Sequence, residues 1–167
     1  MKETEATFLA LINHHKAIIH KVSKMYMDDA EQQRDLFQEI VLQLWKAYPT
    51  FKGNSKFTTW MYRVGLNTAL VYFKKDKRKV DKIALDENID VIDVNESESK
   101  EEKLAYLYKA VQELNAIEKA LIFLFLENQS HREIAENLGI SEVNARVKLK
   151  RTKEKLQFII KKNGYEF

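Results

Sequence analysis

From Glu142 to Lys162 the chain carries eight Lys/Arg residues against two Asp/Glu, with Asn144 and Arg146 close to the start of the stretch. Residues of these types recognise nucleic acid. Arg can form bidentate hydrogen bonds with guanine and Asn with adenine, while lysines hold phosphates. A second region mixes aromatics with cations: Phe51, Lys52, Lys56, Phe57, Trp60, Tyr62, Arg63 and Tyr72, followed by the run KKDKRK from Lys74. Aromatic faces beside cations suit single-stranded nucleic acid, whose exposed bases stack at roughly 1–3 kcal/mol each. Polar groups at Asn54, Ser55, Thr58 and Thr59 are suited to lining a pocket for a base taken out of the stack. Packing in a helical core is the rival reading for Phe57 and Trp60, and a solvated basic face is the rival for the C-terminal stretch.

Other chemistry has little behind it. The absence of cysteine excludes disulfides, Cys-based zinc sites and thiol catalysis. His14, His15 and His20 lie on one expected helix without an HExxH motif or a facing carboxylate, so no metal site is expected. There is no Gly-rich phosphate loop, and Glu133 and Glu136 fit an exposed helix face better than a catalytic pair. No catalytic residue and no cofactor is expected.

The elements that position these residues read as helices. With four Gly and one Pro in 167 residues, the chain lacks the punctuation of an all-β or dinucleotide-binding fold, and its long Leu, Ile, Lys, Glu and Gln-rich stretches indicate an all-α protein. Apolar residues at three- and four-residue spacing predict helices over Thr7–Tyr26, from about Asp28 and Asp29 to Pro49, and over Thr58–Lys75. Proline ends the second because the residue before it is pushed out of the α region. Gly65 inside the third costs roughly 1 kcal/mol against Ala, so packing must hold that helix. Further helices are expected over Lys103–Leu114, Ile117–Glu127, His131–Leu138 and Ser141–Lys162. The stretch SHREIAENLGISEVNARVKLKRTKEKL has the layout of a helix-turn-helix. Ala135 allows close helix approach, Gly139 and Ile140 make the turn, and Ser141 caps the second helix. Val143, Val147 and Leu149 are expected on its buried face, with Glu142, Asn144, Arg146, Lys148, Lys150 and Arg151 facing out.

The net charge of +3 conceals an asymmetry: residues 1–80 carry a balance of +6, residues 81–102 of −7 and residues 103–167 of +4. Two small helical domains, 1–80 and 103–167, are thus expected on either side of an acidic flexible linker, 81–102. Stretched, that linker would reach roughly 70–80 Å, the length of about 20 base pairs. No signal-peptide pattern opens the chain, and the apolar run Ala120–Leu126 is far short of the roughly 18–20 residues of a membrane span. No membrane insertion and a cytoplasmic location are expected.

The segments DLFQEIVLQLWKAYPTF and KFTTWMYRVGLNTALVYFKK resemble region 2 of the extracytoplasmic-function (ECF) group of bacterial RNA polymerase sigma factors, and the helix-turn-helix resembles their region 4. Together the matches cover roughly residues 8–79 and 104–160, in the family's order and without a region 3 domain. The resemblance implies that Asp35, Gln38, Glu39, Leu42, Trp45 and Lys46 grip the clamp helices of the polymerase β′ subunit. It implies that Lys52, Asn54, Lys56, Phe57, Thr58, Thr59, Trp60, Tyr62 and Arg63 capture the non-template strand of the promoter −10 element, with Asn67, Lys74 and Lys75 guiding the adjoining DNA. Ser141, Glu142, Asn144, Ala145, Arg146, Lys148, Lys150 and Arg151 would meet the −35 element as duplex. The family also implies contact with the β flap of core RNA polymerase, an anti-sigma factor as partner, and an acidic linker threading toward the active-site and RNA-exit channels. Where relatives often carry Thr–Val–Lys, this chain has Asn144, Ala145 and Arg146, and Arg does not replace Lys neutrally at a bidentate site.

The implied function is promoter-specific transcription initiation without catalysis by the chain itself. The alternatives are a helix-turn-helix regulator with an N-terminal sensing or dimerisation bundle, which would bind duplex DNA alone, and a helical enzyme, for which no constellation speaks.

Overall fold

The computed structural model describes residues 2–83 and 100–164, with side chains from 4–74 and 101–164. Among these the chain is all-α, and seven α-helices follow one another: α1 Lys2–Tyr26, α2 Ala30–Ala47, α3 Phe57–Ile83, α4 Lys100–Val111, α5 Ala116–Leu126, α6 His131–Leu138 and α7 Glu142–Lys162.

Local chemistry accounts for most of the boundaries. Asp29 caps α2, its carboxylate accepting the Glu31 amide at 2.9 Å. Asn115 with Glu118 and Ser130 with Glu133 form reciprocal capping boxes at the starts of α5 and α6. Gly139 ends α6 in the left-handed region at φ 67°, where the Ile140 amide donates to the Ala135 carbonyl at 3.1 Å. Ser141 then caps α7 by accepting the Asn144 amide.

Three expectations are corrected. Tyr48, before Pro49, stays in the right-handed helical region at φ −55° and ψ −39°. The α-helix ends there because proline has no amide to donate; the Tyr48 amide takes the Trp45 carbonyl and a single 3₁₀ turn, Tyr48–Thr50, follows. The third helix runs beyond Lys75 to Ile83, through a basic stretch without apolar periodicity. The fourth begins at Lys100 and ends at Val111, rather than spanning 103–114. The acidic linker expected over 81–102 otherwise lies outside the described residues.

Helices α1, α2 and α3 bury Phe8, Ile12, Ile19, Val22, Leu36, Ile40, Leu44, Met61, Leu66 and Ala69 among themselves. Gly65 faces α2, where a Cβ would lie 3.7 Å from the Ile40 side chain, an ordinary contact distance. Helices α4 to α7 enclose Ala110, Leu121, Phe123, Leu124, Ile134, Ala145, Leu149 and Leu156, with α7 packed on α4, α5 and α6.

The two groups of helices touch along a joint between α1 and α3 on one side and α4, α5 and α6 on the other. The Tyr26 hydroxyl donates to the Ala116 carbonyl at 2.7 Å, and the Gln112 side-chain amide donates to the Met25 carbonyl at 3.0 Å. Lys119 is fully buried there: its Nζ donates to Gln112 Oε1 at 3.0 Å and lies 4.5 Å from the Phe73 ring centroid and 5.5 Å from that of Tyr26. Hydrogen bonding and aromatic faces together offset the cost of taking a cation out of water. Glu127 closes the joint, taking Lys21 at 2.9 Å and the Tyr62 hydroxyl at 3.1 Å.

Candidate nucleic-acid interface

Helix α7 has two distinct faces. Ala145, Leu149, Thr152, Leu156 and Ile159 point into the core, while Glu142, Asn144, Arg146, Lys148, Lys150 and Arg151 are exposed. Thr152 can be buried because its hydroxyl donates to the Lys148 carbonyl at 2.7 Å. Arg146 is braced by Glu142 one turn earlier, with 3.5 Å between the charged groups. The cations thus spread over the solvent-facing side of a helix whose other side is anchored, an arrangement suited to laying side chains into a major groove.

Two readings of this helix are corrected. Ala145, expected among the DNA contacts, is completely buried against the core and has no surface to offer a base. Val143 and Val147, expected on the inner face, are instead 66% and 41% exposed. The inward stripe passes through Ala145 and Thr152, a small and a polar residue, so apolar character alone picks the wrong positions.

The second region begins at the loop after Pro49. Lys52, Asn54, Ser55 and Lys56 are exposed, and Gly53 takes φ 75°, a left-handed turn that glycine adopts without strain. Beneath the loop, aromatic rings form a continuous chain of tilted contacts: Phe51 and Phe57 each lie within 5.4 Å of Trp60, and Trp60 reaches Tyr48 at 6.3 Å, which meets Phe8 at 5.2 Å. Phe57, Thr58, Thr59 and Trp60 are therefore half-buried, serving as packing and as surface at once. Arg63, Asn67 and Lys74 are exposed on α3; Lys75 belongs to the same helix, beyond the described side chains. Tyr62 differs from the rest. It is 6% exposed and packs on the Phe123 ring at 5.8 Å in the joint, so its phenol faces α5 rather than solvent. Burial, together with the neighbouring Glu127 carboxylate, raises the pKa of that phenol.

On α2, Asp35, Gln38, Leu42, Trp45 and Lys46 are exposed and Glu39 half-buried, one stripe opposite the buried Leu36, Ile40 and Leu44. Leu42 at 43% and Trp45 at 40% exposure put large apolar groups in water, as a protein-docking surface does. Trp45 is held at 4.9 Å from the Phe8 ring. Glu39 of this stripe and Asn67 of α3 line one groove of about 340 Å³. A larger groove of about 620 Å³ follows the joint and brings Lys74 of α3 beside Lys148, Arg151 and Lys155 of α7. Lys155 there pairs with Glu118 at 2.9 Å.

Sequence reading missed the joint itself. Tyr26, Gln112, Lys119 and Glu127 lie far apart along the chain from the partners they meet across it, and no local periodicity marks them. The histidines of α1 are occupied with rings: His20 stacks on Phe37 at 4.4 Å and His15 lies 5.8 Å from Phe57. Among the described residues no group of three or more His, Asp or Glu side chains is placed to hold a metal ion, and no helix is long and apolar enough to cross a membrane.

Comparison with known proteins places both halves. The sigma-70 region 2 family model matches residues 11–79, and the sigma-70 region 4 family model matches residues 104–156. The ECF RNA polymerase sigma factor SigX of Bacillus subtilis is 27% identical over 146 residues, covering 83% of this chain and 75% of that protein. The ECF RNA polymerase sigma-E factor of Haemophilus influenzae is 28% identical over 135 residues, covering 74% and 71%. In structure, the chain is similar to the sigma factor RpoE in complex with the anti-sigma factor NepR from Bartonella quintana. That match has a TM-score of 0.70 at 17% identity and covers 96% of this chain and 98% of the other. It is also similar to CnrH in complex with the cytosolic domain of CnrY, with a TM-score of 0.67 at 17% identity, covering 94% and 89%.

Proposed function

The chain belongs to the sigma-70 family of RNA polymerase sigma factors, in its ECF group, and on that premise we propose how its two helical units divide the work of promoter-specific transcription initiation. The N-terminal unit, residues 1–80, docks on the β′ clamp helices of core polymerase through Asp35, Gln38, Glu39, Leu42, Trp45 and Lys46. Its loop and the start of α3, from Lys52 to Arg63 but without the buried Tyr62, capture the −10 non-template strand, and Asn67, Lys74 and Lys75 guide the adjoining DNA. The C-terminal unit, residues 103–167, meets the β flap and reads the −35 element as duplex through the outer face of α7, without Ala145. The acidic segment 81–102 joins them along the polymerase channels.

In this reading the chain performs no catalysis. Promoter opening draws on the binding of unstacked bases and on polymerase contacts, without nucleotide hydrolysis. The two similar solved structures are both complexes with a second protein, one of them named an anti-sigma factor, and we assign a partner of that class to this chain.

The observation that carries the proposal is the segregation of α7: a buried stripe from Ala145 to Ile159 fixes the helix while Asn144, Arg146, Lys148, Lys150 and Arg151 face solvent. The decisive experiment reconstitutes the full chain with bacterial core polymerase on a promoter library and maps transcription start sites. Defined start points preceded by two sequence elements are expected. Failure to join the polymerase, or joining without any choice of start point, refutes the proposal; tight binding to paired half-sites without polymerase would favour a regulator instead.

A further inference from the structure

We propose that Val143 and Val147 read thymine 5-methyl groups in the upstream duplex and so set part of the sequence preference of this particular chain. The inference rests on the reading of α7 as the −35 helix and deepens it.

The two valines are 66% and 41% exposed, and they stand four residues apart, which puts them on one face of the helix. That face belongs to the first two turns after the Ser141 cap, the part of a recognition helix that reaches base edges. A single exposed apolar side chain is ordinary on a protein surface. This pair is less so. Valine is a weaker helix former than alanine because its branched Cβ restricts the side chain, and Val143, the more exposed of the two, recovers little of that loss by burial. Both are flanked on the helix surface by exposed polar and cationic residues, Asn144, Arg146, Lys150 and Arg151 among them, whose charge suits a phosphate-lined groove and repels a cationic protein partner.

Within a major groove, the thymine methyl is the apolar feature that a valine can meet, and it distinguishes T·A from A·T as well as from G·C. A valine methyl laid against it removes apolar surface of both partners from water. Asn144, the exposed neighbour of Val147 one turn earlier on the helix, carries the amide that pairs with adenine. The three side chains together would favour an A·T-containing segment, with Arg146 available to a guanine beside it.

The test uses holoenzyme assembled from the full chain and bacterial core polymerase, on the upstream element that this holoenzyme itself selects from a library. Each thymine of the element is replaced in turn by deoxyuridine, which keeps the base pair and removes the methyl alone. Affinity should fall about fourfold at one or two positions, the effect of one buried carbon. In Val143→Ala and Val147→Ala the penalty at the corresponding position should vanish, with α7 intact because alanine is the stronger helix former. The proposal is overturned if no thymine is methyl-sensitive, if the sensitivity survives in the double variant, or if the double variant loses polymerase binding rather than sequence preference. A selected element without thymine would also overturn it. A holoenzyme that selects no upstream sequence at all would sink the −35 reading along with the valines, whereas selection without methyl dependence sinks the valines alone.

Discussion

At the residue scale, Arg146 is exposed and pairs with Glu142 one turn earlier. Its ion pair with Glu142 is solvent-exposed on both sides, and pairs of that kind contribute little to stability. Arg146→Ala should therefore leave the unfolding midpoint nearly unchanged. Its cost should appear in DNA binding, about 1–3 kcal/mol on the preferred upstream sequence and much less on scrambled duplex. Equilibrium binding by holoenzyme to both duplexes checks this; an equal loss on both would make Arg146 a phosphate contact. The chemistry of such residues was legible in the sequence, because side-chain type sets what a group can bind. Which way each one points was less so. Ala145 turned inward and Val143 and Val147 outward because the stripe facing the core is set by where α5 and α6 lie against α7, and Thr152 could join it once its hydroxyl was satisfied by the backbone.

At the element scale, α2 is anchored by Leu36, Ile40 and Leu44, so its outer stripe can be altered without unfolding it. Trp45→Ala or Asp35→Ala should weaken retention of core polymerase in a pull-down while helical content is preserved. Retention equal to that of the parent chain would remove α2 from the polymerase contact. Gly65 makes the opposite kind of prediction. A Cβ there meets Ile40 at a normal 3.7 Å, so Gly65→Ala should raise stability by about 0.5–1 kcal/mol, read as a higher midpoint in thermal or urea unfolding. A lower midpoint would mean that α2 and α3 tolerate no added methyl. Boundaries set by local capping, such as Ser130, Gly139 and Ser141 around the helix-turn-helix, could be placed from sequence within a residue. The run of α3 to Ile83 could not, since its basic residues are adequate helix formers but carry no apolar period.

At the scale of the whole molecule, the joint brings together surfaces assigned to different promoter elements: Lys74 lies across one groove from Lys148 and Arg151. Its strength can be measured. Tyr26→Phe deletes the hydrogen bond to the Ala116 carbonyl and should cost about 0.5–1.5 kcal/mol in denaturant unfolding. Burial raises the phenol pKa of both Tyr26 and Tyr62, the latter helped by Glu127. Because the unfolded phenols ionise near pH 10 and the folded ones higher, this contribution is complete below pH 10 and is lost as the pH climbs through the folded values. Unfolding midpoints should thus fall more steeply above pH 10 in the parent chain than in a Tyr26→Phe, Tyr62→Phe double variant; parallel curves would show that the phenols are not held neutral by the joint.

Composition, apolar spacing and local caps were enough to establish an all-α chain with a helix-turn-helix near its end, because each depends on residues within a few positions of one another. The order of the two motifs was enough to suggest the family. The packing of α1 and α3 on α4 and α5, the burial of Lys119 among Tyr26, Phe73 and Gln112, and the turning of Tyr62 toward Glu127 were decided by tertiary structure alone. Those contacts join residues as many as 106 positions apart, and their register follows from shape and hydrogen bonding between finished helices, which no short window of sequence contains.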